Sequence, residues 1–126
     1  MSRLLVDTHV LLWWMANDRA RLSETARRQL VDPANRIIVS AVSVWETAIK
    51  RALGKLDAPP DLLERLEQTA VELLPITARH ADQVGRLPMH HGDPFDRLLV
   101  AQAGLEGLAL VSGDSEVRRY DVTVVW

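Results

Sequence analysis

Leu4-Leu5-Val6-Asp7 carries the pattern that decides the fold of this chain: three aliphatic residues in a row, closed by an acid. A half-exposed strand alternates apolar and polar side chains. An unbroken aliphatic run instead fits a strand covered on both faces, the habit of parallel sheets. The pattern recurs at Ile37-Ile38-Val39, at Leu108-Ala109-Leu110-Val111 and at Val122-Thr123-Val124-Val125. A weaker fifth run, Glu72 to Ile76, is interrupted by Pro75. Proline cannot donate to a ladder, so this strand belongs at an edge or ends there.

Helical patterns fill the intervals. Ser23 caps Glu24 to Val31, which ends before Pro33; Ser43 opens Val44 to Leu53, with Gly54 beyond its end. Asp61 to Val71 and Thr77-capped Ala78 to Leu87 follow. Asp93-Pro94 starts a helix to Leu105, with proline in the first turn where its missing N–H costs nothing. Ser115 to Arg119 is a short helical turn, and Val10 to Met15 is an apolar helix. Strands alternating with helices predict a three-layer α/β/α domain with a mostly parallel central sheet. Residues 1–126 are expected to form one domain, burying roughly 68% of the unfolded surface.

Composition narrows the function. With 48% hydrophobic and 25% charged residues the chain falls in the ordinary globular class. It has no Cys, which removes disulfide scaffolds, thiolate metal sites and thiol catalysis together. No leader segment or span-length apolar run is present, so a cytoplasmic, membrane-free protein is expected. The net charge of −2 excludes polyanion binding by bulk charge, although all but Lys50 and Lys55 of the 15 bases are Arg. Arg27-Arg28, Lys50-Arg51, Arg97 and Arg118-Arg119 are candidate phosphate contacts, each with a solvated-surface alternative.

In open parallel sheets ligands bind beyond the carboxyl ends of the strands. Asp7 follows the first strand directly, Asp114 follows Ser112-Gly113 after a later one, and Glu46 lies early in the helix after Ile37–Val39. Asp93 and Asp96, three apart, share a face at the start of their helix. Each acid has a local explanation: Glu46 could close a capping box with Ser43, Asp93 is a good N-cap, and Asp96 gains from the helix dipole. Capping does not explain why the acids gather at one edge. Two carboxylates ~5 Å apart at an effective dielectric of ~20 repel by about 3 kcal/mol. A hard divalent cation relieves that repulsion, and oxygen-only ligation favours Mg²⁺ or Mn²⁺ over zinc. In sequence, only Arg97 among the bases lies beside this edge.

Leu5-Val6-Asp7-Thr8-His9, Ser43-Val44-Trp45-Glu46-Thr47-Ala48-Ile49-Lys50, Asp93-Pro94-Phe95-Asp96-Arg97 with Ala101-Gln102-Ala103, and Leu110-Val111-Ser112-Gly113-Asp114 together resemble the PIN-domain family. The likeness is greatest to the VapC-type toxins of prokaryotic toxin–antitoxin pairs. It implies a Mg²⁺-dependent endoribonuclease, with Mn²⁺ as a substitute, held in check by a VapB-type antitoxin and often dimeric. It also implies that Asp7, Glu46, Asp96 and Asp114 form the acidic quartet, with Thr8 and Ser112 in support and Asp93 as a further acid that is ligand, supporting group or cap. Arg97, Lys50 and Arg51 are the RNA-binding candidates. The chemistry implied is hydrolysis of a phosphodiester by water activated at a carboxylate-held cation.

Two rivals remain beside this reading. A phospho-acceptor or phosphatase domain also uses acids at strand ends with Mg²⁺, but the first strand is followed by neither an Asp pair nor Asp-x-Asp, since His9 stands in the third place. A PIN-like module kept only for binding a partner would not need the full acid set. His90-His91 has no metal-ligand spacing and reads as loop. Trp13 and Trp14, about 100° apart on their helix, cannot share a face. One is expected in the core and the other at an antitoxin or dimer contact, and the wholly apolar Val10–Met15 helix is expected to meet the antitoxin together with neighbouring helices.

Overall fold

Leu4, Leu5 and Val6 are wholly buried, and their alternation sorts them to opposite faces of a sheet. Leu4 and Val6 enter one hydrophobic cluster with Val10, Leu11, Ala26, Leu30, Leu62 and Leu66. Leu5 enters the other, with Leu98, Leu99, Ala103, Leu110 and Val117. A computed structural model describing residues 1–126 places this segment as the central strand, β1 (Arg3–Val6). Each such leucine contributes about 1.5–3 kcal/mol by leaving water, so the aliphatic run fixes the centre of the sheet.

The chain continues through α1 (Thr8–Met15), α2 (Glu24–Val31), β2 (Arg36–Ser40), α3 (Ala41–Ala52), α4 (Leu62–Glu67) and β3 (Glu72–Leu74). It then forms α5 (Ala78–Val84), α6 (Pro94–Glu106), β4 (Ala109–Val111), a 3₁₀ turn (Val117–Arg119) and β5 (Val124–Val125). The five strands run in the order β3-β2-β1-β4-β5, and every pairing is parallel. Leu5 is in register with Ile38 on one side and Leu110 on the other. The expected α/β/α layering with a parallel sheet is what forms, and the proline-interrupted strand is an edge, paired only with β2.

Several boundaries differ from the sequence reading, each for a local reason. Helix α3 begins three residues before the expected Val44: Ser40, not Ser43, caps it by accepting the Val42 N–H (2.9 Å). Ser43 and Glu46 therefore form no capping box. Its other end is as expected, with Gly54 in the left-handed conformation at φ +68° just beyond Leu53. Helix α4 stops at Glu67 because the Thr69 hydroxyl takes the Leu66 carbonyl (2.7 Å) and turns the chain toward β3. Helix α5 stops at Val84 rather than Leu87, and Arg97 from α6 donates to the carbonyls left open at Val84 and Leu87.

The apolar run of α1 turns largely onto the sheet. Val10, Leu11 and Leu12 are buried, and Trp13, Trp14 and Met15 pack against the same cluster. Trp13 lies 6.3 Å from Trp126 with the Arg21 guanidinium 6.0 Å above its ring. Both tryptophans are half-buried, so neither is the fully buried core residue expected of one of them. An exposed apolar row lies on α3, at Trp45, Ile49 and Leu53. No helix is long and apolar enough to cross a membrane.

Candidate active site

Parallel strands β1, β2 and β4 end on the same side of the sheet, so the residues that follow them meet there. Asp7 leaves β1 and caps α1, accepting the Val10 N–H (2.8 Å). Glu46 projects from the second turn of α3 and Asp96 from the first turn of α6. Asp114 lies just after β4 and accepts the Glu116 N–H (2.9 Å). Asp93 is the N-cap of α6, accepting from Phe95 N (2.8 Å) and Asp96 N (3.2 Å). Three of these five acids thus also cap a local turn or helix start, and they still converge.

Two hydroxyls hold the acids in place. The Thr8 hydroxyl donates to Glu46 Oε1 (2.6 Å) and lies 3.0 Å from Ser43 Oγ. The Ser112 hydroxyl lies beside the Asp7 carboxylate and accepts the Asp114 N–H (3.2 Å), linking the ends of β1 and β4. Gly113 between them leaves room for the Trp126 ring, which a Cβ would approach to 2.8 Å. That contact sets the path of the chain into Asp114.

The basic groups differ from those expected. Arg97 is buried at 7% exposure and does not face the edge. Its guanidinium donates to Pro88 O (2.9 Å), Val84 O (2.8 Å) and Tyr120 Oη (3.1 Å), a structural bracket in place of the expected RNA contact. Lys50 does lie at the edge, but it is occupied: Nζ donates to Glu46 Oε2 (2.5 Å) and stands 4.0 Å from Asp93 Oδ2. Arg51 is exposed and outside the cluster. Arg28 and Arg119 pair with neighbours on their own turns, Glu24 and Glu116.

His91 is the residue missed from sequence. Its Nε2 lies 2.7 Å from Asp114 Oδ2 and 3.2 Å from Asp96 Oδ2, and ligand atoms of all three fall within 4.8 Å of one another. Metal-ligand spacing gave no sign of it, because a hydrogen-bonding imidazole needs none.

The charges are strongly perturbed. Burial, followed by the charges of Asp93 and Asp7, pushes the Asp96 carboxyl up to about 7. Burial also raises Asp7, against the Ser112 hydroxyl and the Val10 N–H. Burial alone would raise Asp114, but the His91 hydrogen bond and the Glu116 N–H outweigh it and hold that carboxyl low. His91 is raised: burial opposes its charge, and Asp114, Asp96 and Asp93 more than compensate. Lys50 is raised chiefly by its bond to Glu46. A carboxyl forced toward neutrality by its neighbours marks uncompensated negative charge. An oxygen-rich donor set in that state fits a hard divalent cation.

The sequence model of the PIN domain matches residues 4–122. Among relatives, Ribonuclease VapC22 of Mycobacterium tuberculosis is 34% identical over 123 residues, covering 95% of this chain and 93% of its own. Among solved structures, VapBC2 of Rickettsia felis bound to a DNA fragment from its promoter superposes with a TM-score of 0.69 at 14% identity, over 97% of this chain and 96% of the other. The DNA-bound VapBC of Salmonella typhimurium gives 0.67 at 20% identity, over 98% and 97%.

Proposed function

The chain belongs to the PIN-domain family, and from that premise we propose that it is a metal-dependent ribonuclease of the VapC kind, the toxin of a toxin–antitoxin pair. The observation that carries the reading is the convergence of Asp7, Asp96 and Asp114 with Glu46 at one sheet edge, with Asp96 pushed up to about 7 by burial and then by neighbouring like charge. Likeness to Ribonuclease VapC22 supports the ribonuclease activity, and likeness to VapBC complexes supports a VapB-type antitoxin as partner.

Asp7, Asp96 and Asp114 would hold the cation, with Mg²⁺ favoured by the hard oxygen donors and Mn²⁺ able to replace it. The cation supplies charge neutralisation at phosphate oxygens and a lowered pKa for water. Glu46, gripped by Thr8 and Lys50, completes the acidic wall and aligns α3 with the start of α1. Ser112 keeps Asp7 and Asp114 in register. Asp93 stays a cap and steadies Asp96 through its N–H. A phosphate entering this edge would draw Lys50 away from Asp93 more readily than from Glu46, which lies closer to it. The exposed row Trp45, Ile49 and Leu53 supports a face covered by a partner, consistent with a homodimer.

Incubation of single-stranded RNA with the purified chain tests the reading. Cleavage is expected in Mg²⁺ or Mn²⁺ and is lost in EDTA and in Asp96→Asn. Undiminished cleavage in chelator by nuclease-free protein would defeat the metal-dependent assignment. Intact RNA in every cation, with the antitoxin removed, would leave the non-catalytic module as the better account.

A further inference from the structure

The proposed function leaves His91 without a part, although its ring lies between carboxylates carried by two separate elements, Asp96 on α6 and Asp114 after β4. The other ring nitrogen is committed. Nδ1 accepts the backbone N–H of Asp93 at 3.0 Å. An imidazole nitrogen that accepts carries no hydrogen, so in the neutral ring the hydrogen resides on Nε2. Nε2 is then a donor aimed at Asp114 Oδ2, with Asp96 Oδ2 3.2 Å away and no lone pair open to a cation.

The ring is held there from its backbone. The N–H groups of His90 and His91 both donate to Tyr120 Oη, at 3.2 and 2.9 Å. The His90 ring packs edge-on against Tyr120, with centroids 5.0 Å apart. Arg97 donates to the same hydroxyl and to Pro88 O. Two buried side chains, Arg97 and Tyr120, thus brace the segment from Pro88 to Asp93 and fix where His91 reaches.

We propose that His91 is a positioning residue: its Nε2–H, bonded to Asp114 and standing against Asp96, bridges the two in the cation-free protein and is the internal competitor that a divalent cation displaces there. This rests on the reading of those carboxylates as cation-holding. The bridge keeps two like charges from separate elements in register, and its presence weakens cation binding. A ligating histidine would do the opposite.

Mn²⁺ binding without RNA, measured by calorimetry on the whole chain at about pH 8, separates the two roles. His91→Ala is expected to bind Mn²⁺ about tenfold more tightly than wild type, the rough worth of a charge-assisted hydrogen bond. His91→Gln, which keeps an N–H donor, is expected to show a smaller gain. Long-range ¹H–¹⁵N correlation on wild type in EDTA is expected to show the Nε2–H tautomer, a readout that needs no variant to fold. Equal or weaker Mn²⁺ binding by folded His91→Ala overturns the competitor role, as does an Nδ1–H tautomer. Wild type and Asp114→Asn both failing to bind Mn²⁺ would overturn the cation reading itself and the competitor role with it. That failure is distinguishable, because tautomer and bridge are read without cation.

Discussion

Replacing Asp96 by Asn isolates the charge at the centre of the acidic edge. Because its carboxyl is raised, the folded chain holds the Asp96 proton more tightly than the unfolded chain does. Between the two pKa values the folded state binds more protons, so stability falls as pH rises and the whole penalty is felt above the folded value. Moving a carboxyl from 3.8 to about 7 corresponds to about 4 kcal/mol, at about 1.4 kcal/mol for each pH unit. Asn escapes that penalty at every pH. Against the gain stand the weakened contact to His91 and the loss of a negative charge at the α6 N-terminus, worth about 0.3–1 kcal/mol. The balance favours Asp96→Asn by about 2–3 kcal/mol in EDTA near pH 8, or roughly 6–12 °C in Tm for a chain of this size. Near pH 4 the advantage should vanish. Saturating Mg²⁺ should reverse the ranking, because ligand binding to the native state stabilises wild type and the variant far less. Thermal unfolding by circular dichroism at three pH values measures all of this. A variant less stable than wild type near pH 8 in EDTA, or a gap that does not widen with pH, would refute the reasoning.

Other substitutions probe the supports of the site. Arg97→Ala should cost about 3 kcal/mol or more in urea unfolding, since it strands the carbonyls of Val84 and Pro88 and half-empties the Tyr120 bracket; an unchanged midpoint would return Arg97 to the surface. Gly113→Ala should cost about 1–3 kcal/mol, because its Cβ would meet the Trp126 ring at 2.8 Å. A red-shifted tryptophan emission should accompany that loss, and wild-type stability with an unshifted spectrum would count against the contact. Gln102→Leu should cost about 1–3 kcal/mol by leaving Ser40 Oγ and Pro75 O without their buried partner, measured by the same denaturation; no loss would mean that water replaces the amide.

The sheet was readable because its pattern is local. Unbroken aliphatic runs such as Leu4–Val6 report burial on both faces, and Pro75 reports an edge. The acids at strand ends were readable for the same reason, since in a parallel sheet position after a strand is position at the site. What escaped the sequence depends on partners distant along the chain. Ser40 and Ser43 are equally good caps on paper, and only Thr8 drawing on Ser43 and Glu46 shows which one starts α3. Arg97 is next to a site acid in sequence, yet α6 turns it about 100° away, into the carbonyls beyond α5. His91 was set aside for lacking ligand spacing, while its place comes from Tyr120, a residue near the far end of the chain.

The pairing of β1 with β4 has a consequence for the order of assembly during synthesis. Leu5 meets Leu110, and Ser112 stands between Asp7 and Asp114, so β1 leaves the ribosome well before the strand it pairs with. Contacts of such sequence separation form slowly and late. Until β4 emerges, β1 lacks its neighbour on one side and the acids it would gather are still apart. Tyr120, which braces His91, is later still. A growing chain therefore has no complete acidic edge until β4 and the turn carrying Tyr120 have both emerged.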